Sequence, residues 1–180
     1  HEKGDDETLN EKGRKQIEKT GIILKKQNIE SVFYSKELRT KDSATLLARI
    51  IGCPAAEIDG FEERNWGVYA NKPWTEVKEI LDPMTFNERY TYKPPEGESW
   101  KTCERRLISA FNKSIQEGNH RNIVILTHGG AIRILMPYLL GVSKEESFKY
   151  DPSNASITEF EFNGKSFTPI RINDSSHLKH

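Results

Sequence analysis

Apolar positions recur at helical spacing over some stretches of this chain and in short continuous runs over others. The first periodic stretch, 10–27, carries Ile17, Gly21 and Leu24 on one face with charges elsewhere, and Asn10 stands ready to cap it. Ser31-Val-Phe-Tyr34 follows as a short buried strand. The spacing of Ala44, Leu47 and Ile51 predicts a helix over 36–51, stopped by Gly52 and Pro54. Residues 99–116 read as another helix, with Leu107, Phe111 and Ile115 as its stripe. The run Asn122-Ile-Val-Ile-Leu-Thr-His-Gly-Gly-Ala-Ile-Arg133 reads as a buried strand ending in His128 and two glycines, continued by a helix over 131–140. Residues 156–162 and 166–172 alternate around Asn163-Gly164, which predicts a β-hairpin. Helices alternating with short apolar strands predict an α/β domain with a mostly parallel sheet between helical layers, a three-layer α/β/α arrangement with a C-terminal β-hairpin.

Between these elements, residues 60–98 lack regular periodicity and are rich in Pro, Trp and Tyr, with one short helix expected after Pro73. A segment this long outside regular structure predicts a lid or substrate loop. Its aromatic residues, Trp66, Tyr69, Trp74, Phe86, Tyr90 and Tyr92, either line a pocket for an apolar leaving group or pack the lid onto the sheet. The packing role is the favoured one.

Composition narrows the function classes. At 180 residues the chain is expected to be a single domain. Lys plus Arg and Asp plus Glu both number 27, so no net field recruits nucleic acid or an anionic membrane. Cys53 and Cys103 lack metal-ligand spacing and read as reduced thiols of a cytoplasmic protein. No apolar run approaches the roughly 20 residues of a membrane span, and no metal site or cofactor motif is evident.

Chemistry concentrates at strand ends. His128 at a strand-to-helix junction combines an imidazole with unpaired helix N-terminal amides, which favours an anion; the plain alternative is a histidine that caps a turn. Tyr34-Ser-Lys-Glu-Leu-Arg39 also ends a strand in polar residues. In open parallel sheets ligands collect outside the carboxyl ends of strands, so Arg39 and His128 are candidates for one pocket. Arginine's planar fork suits phosphate, although Arg39 alone also fits a solvated helix turn. Phe61-Glu-Glu-Arg-Asn-Trp-Gly67 offers Glu63 and Glu62 as carboxylates whose proton affinity a neighbouring phosphate would raise, as a general acid requires.

Together these pieces resemble the histidine phosphatase superfamily, also called phosphoglycerate mutase-like. The resemblance runs in order through Leu9-Asn-Glu-Lys-Gly13, Ser35 to Arg39 and Ser43-Ala44, Glu63-Arg-Asn-Trp-Gly67, Gly97-Glu-Ser99, His128-Gly-Gly-Ala-Ile-Arg133 and Asn154-Ala-Ser-Ile-Thr158. It implies that Arg39 binds the phosphoryl group, that Glu63 donates the proton, with Glu62 ranked below it, and that His128 is the second pocket histidine, which steadies the phosphoryl group. The Gly129 amide would bond the same oxygens. Ser35 and Arg64 join them as expected substrate-binding residues, while Gly97-Glu-Ser99 is expected to cap the next helix, with Ser99 or Glu98 as lesser pocket candidates.

The chain departs from the family at its most reactive position. The family's nucleophile lies in an Arg-His-Gly motif ending a first strand, and no Arg-His-Gly occurs here. Either His1 is that histidine without its strand, or residues 1–9 are the loop that follows the motif. The second placement is favoured because family members often have a substantial loop there. The missing strand is expected upstream of residue 1, in roughly 15 to 30 further residues, and an intact mass of 20.7 kDa for the natural protein would refute that. The alternative is an inactive relative.

The implied activity is hydrolysis of a small-molecule phosphate ester through a phosphohistidine, without metal or other cofactor. The short segment between Glu63 and Glu98 favours the phosphatase branch over a phosphoglycerate mutase-type transferase or a phosphate-ester binding module. A homodimer is left open.

Overall fold

The computed structural model describes residues 7–116 and 121–179. His1 lies outside the described residues. Helix α1 (Glu11–Leu24) opens with the Asn10 side chain accepting from the Gly13 amide at 2.8 Å. It ends through a 3-10 turn at Asn28, which adopts a left-handed conformation. Strand β1 (Ser31–Tyr34) follows, then helix α2 (Leu38–Ile51), closed by left-handed Gly52. This helix begins two residues later than the periodicity predicts, because Glu37 is extended and serves as its N-cap residue.

Strand β2 (Ala55–Glu57) was not legible in the sequence. Its Ala-Ala-Glu is exposed and carries no β-branched residue. It pairs in parallel with β1, whose other side takes β3 (Ile123–Leu126), giving the parallel order β2-β1-β3. Side chains leave the sheet on both faces. Val32, Val124 and Leu126 join a core with α1 and α2, while Ile125 meets a second core built by α5 (Trp100–Gln116) and α6 (Gly129–Leu140). The sheet thus lies between two helical layers, as expected.

The irregular region contains two short helices, α3 (Trp74–Leu81) and α4 (Phe86–Thr91), where one was expected. The overlooked signal for α4 is a capping box, in which Thr85 and Glu88 satisfy each other's amides. Toward the C-terminal side lies the antiparallel pair β4 (Ile157–Phe162) and β5 (Phe167–Asp174), followed by a 3-10 turn over Ser176–Leu178. Their connection uses four residues, with Asn163 Oδ1 accepting from the Lys165 and Ser166 amides. Among the described residues no strand pairs with the outer side of β3, and no helix is long and apolar enough to cross a membrane.

Candidate active site

Register explains why residues far apart in sequence meet. In the parallel pair, Tyr34 stands opposite Leu126, so the chain leaves β1 and β3 at the same sheet edge, and the Ser35 amide donates to the Leu126 carbonyl at 3.3 Å. From there β1 delivers Ser35, Glu37 and Arg39, while β3 delivers His128 as N-cap residue of α6.

His128 is buried, with 7 % of its surface exposed. Its Nδ1 lies 2.9 Å from an Arg39 guanidinium nitrogen, and its Nε2 lies 2.8 Å from Ser35 Oγ. Ser35 is fully buried and also meets the Thr40 hydroxyl at 2.9 Å. Glu37 Oε2 stands 3.0 Å from His128 Nε2, close enough for an ion pair but without hydrogen-bond alignment. Burial pushes the Glu37 carboxyl up. The neighbouring His128 imidazole and Ser35 hydroxyl outweigh that and hold it down at about 2, against an ordinary 4.5.

The loop after β2 brings the third expected residue to this edge. Phe61 is wholly buried, and its carbonyl accepts from Thr127 Oγ1 at 2.6 Å, which fastens the loop to the end of β3. Beyond that anchor the two adjacent glutamates diverge. Glu62 turns away, pairing with Arg106 at 3.0 Å and Lys36 at 3.7 Å. Glu63 points at the start of α6, where its Oε2 accepts from the Gly130 amide at 3.1 Å and its Oε1 from the Arg64 amide at 2.8 Å. The Glu63 amide in turn donates to Glu37 Oε1 at 3.2 Å. Gly130 is required for this approach, since a Cβ there would collide with the Glu63 carboxylate. Gly129 stays exposed in the first turn of α6, where amides lack intrahelical acceptors.

Arg64 is buried, its guanidinium donating to the Glu98 carbonyl at 3.2 Å and the Tyr92 carbonyl at 3.3 Å while stacking 4.2 Å over Trp66. Burial lowers its proton affinity despite nearby Glu98 and Glu63. Glu98 bonds Arg106 and the Asn65 amide, and Ser99 caps α5 through the Thr102 amide, as expected. The aromatic residues are mostly committed to packing. Tyr69 and Tyr92 share a hydroxyl contact at 3.0 Å, Phe86 meets Trp100 and Tyr90, and Trp66 packs edge-on to Trp74.

A cleft of about 830 Å³ opens over these groups, lined among others by Glu37, Arg39, Glu63, Arg64, Trp66 and Lys113. His128 lies beneath its surface and meets it through Arg39 and Glu37. Glu37, Thr40, Thr127 and Gly130 were not singled out from sequence; only the double glycine after His128 carried a signal.

This constellation can be set against known proteins. The sequence model of the histidine phosphatase superfamily (branch 1) matches residues 1–175. The chain belongs to the histidine phosphatase superfamily. Within it, the chain is 26% identical over 181 residues to a 2,3-bisphosphoglycerate-dependent phosphoglycerate mutase of Cytophaga hutchinsonii, covering 97% of this chain and 83% of that one. It is 27% identical over 177 residues to a metal-independent phosphoserine phosphatase of Arabidopsis thaliana, covering 94% and 72%. Among solved structures, the α-ribazole phosphatase from Shigella flexneri superposes with a TM-score of 0.80 at 18% identity, over 96% of this chain and 88% of that one, a likeness of fold. Histidine phosphatase superfamily relatives of this chain thus include both phosphatases and mutases.

Proposed function

We propose that this chain is the body of a phosphomonoester hydrolase working through a phosphohistidine. The observation that carries the reading is the meeting of Arg39, His128 and Glu63 at one sheet edge, with the Glu63 carboxylate bonded to the first turn of α6. In this reading the nucleophilic histidine belongs to an Arg-His-Gly strand preceding residue 1, which pairs with the outer side of β3. That edge adjoins His128, so a histidine ending such a strand is delivered to the same pocket.

The chemistry then follows from the groups present. The imidazole attacks phosphorus in line, while Arg39, His128 and the Gly129 amide hold the equatorial oxygens where negative charge must be balanced. Glu63 protonates the leaving alkoxide, then takes a proton from the water that releases phosphate. Ser35 holds the His128 ring. Arg64 acts by fixing the lid behind Glu63, since its guanidinium donates to the Glu98 and Tyr92 carbonyls. Arginine and imidazole supply the positive charge, so no metal enters the scheme. The short segment between Glu63 and Glu98 favours hydrolase over mutase, since a mutase must keep water from its phosphoenzyme.

The test is turnover of an aryl phosphate by the full-length protein. Arg39→Ala or His128→Ala should lower kcat/KM by about 100- to 1,000-fold, and EDTA should leave the rate unchanged. A folded full-length protein with no turnover would instead favour a phosphate-ester binding module, and loss of activity to EDTA would refute the metal-free scheme.

A further inference from the structure

Both ring nitrogens of His128 are engaged, and the partners fix where its proton is. A guanidinium can only donate, so Nδ1, 2.9 Å from Arg39, is the acceptor and the proton resides on Nε2, toward Ser35 Oγ and Glu37 Oε2. The charged groups facing the ring are Arg39 and Glu37 from the start of α2. Glu63, from the loop after β2, sits one amide away on Gly130.

An oxyanion that takes Arg39's N–H for itself leaves Nδ1 as a lone pair aimed at a negative oxygen. That contact is repulsive unless Nδ1 gains a proton. The imidazolium so formed would stand between the bound anion and the Glu37 carboxylate. Glu37 is suited to this because its other oxygen is held by the Glu63 amide at 3.2 Å, which keeps the carboxylate beside Nε2. Its carboxyl, held down at about 2, remains ionised across the working range.

We infer that oxyanion binding at this site is coupled to uptake of one solvent proton on His128 Nδ1, and that Glu37 is the positioning counter-charge that makes the uptake favourable. The inference rests on the phosphoryl site proposed above. On binding, the Arg39 N–H moves from Nδ1 to the anion, the incoming proton occupies Nδ1 and donates to the anion, and Nε2–H remains toward Glu37 and Ser35. The anion then gains two donors where it would otherwise gain one and meet a lone pair.

The test uses the full-length protein and sulfate, a dianion with no proton to exchange near neutral pH. Nitrogen-15 NMR of the His128 ring should show the Nε2–H tautomer without sulfate and both nitrogens protonated with it. Over the pH range in which the ring is neutral without sulfate and protonated with it, the sulfate Kd should weaken about tenfold per pH unit. In Glu37→Gln, that slope should fall well short and the bound ring should stay neutral. Sulfate binding with a flat pH profile, a ring that stays neutral in the wild-type complex, or an unchanged slope in Glu37→Gln would overturn the inference while leaving the phosphoryl site intact. No sulfate binding at all would overturn the site itself and the inference with it.

Discussion

His128 is fixed from both sides of its ring by the stretch that follows β1, in which Ser35 and Arg39 were expected at the site and Glu37 was not. Glu37 illustrates the difference. Its carboxyl is held at about 2 against an ordinary 4.5, so its ionised form stabilises the folded chain above pH 4.5, and that contribution is lost as pH falls from 4.5 toward 2. Glu37→Gln should therefore lower the thermal midpoint at neutral pH, with the gap to wild type narrowing through this acid range. A gap that stays constant or widens in acid would contradict the assignment. Gly130 gives a second residue-scale prediction. A Cβ there would strike the Glu63 carboxylate, so Gly130→Ala should keep the fold, checked by circular dichroism, yet lose most aryl phosphate turnover. Arg39, His128 and Glu63 were legible because arginine, histidine and glutamate at strand ends and turns carry recognisable chemistry. Glu37 was not, since its role exists only once β1 and β3 bring it to the imidazole.

Among the elements, the lid depends on a small polar network. Arg106 donates to the Gly60 and Glu62 carbonyls and pairs with the carboxylates of Glu62 and Glu98, whose side chains are only 16% and 15% exposed. Removing the cation leaves two nearly buried carboxylates facing each other. Arg106→Ala should cost on the order of 3 kcal/mol in denaturant unfolding and speed amide exchange through residues 60–98. Unchanged exchange there would mean that the lid is held mainly by its aromatic contacts. Gly67 adds a backbone constraint, because its positive φ lets it pack against the Pro95 carbonyl, where a Cβ has no room. Long periodic helices were readable from the apolar spacing and α3 from the Pro73 that precedes it, whereas α4 is too short to show a period. Three-residue β2 is set by pairing with β1 rather than by its own sequence.

Over the whole molecule, two cores on opposite faces of one parallel sheet hold the strand ends in register, and the candidate site is a consequence of that register. The expected layering was legible because strand and helix periodicities alternate. The joining of the lid loop to β3 through Thr127 and Phe61 was not, as it is a contact between a side chain and a distant carbonyl. The cores also separate the two thiols. Cys103 is wholly buried and its thiol is pushed up to about 12 by burial, while Cys53 is half-buried. Cys53 should react first with a thiol reagent in native protein, and Cys103 only on unfolding; early modification of Cys103 would show that the α5–α6 core opens readily.

In the proposed reading the pocket built by Arg39, His128 and Glu63 serves a phosphohistidine, which a rapid-quench experiment on the full-length protein with a phosphate-labelled monoester can trap. Label should appear on the protein within the first turnover, be lost in acid and kept in base, and map to a histidine other than His128. Turnover with no labelled protein, an acid-stable label, or label on His128 would contradict that reading.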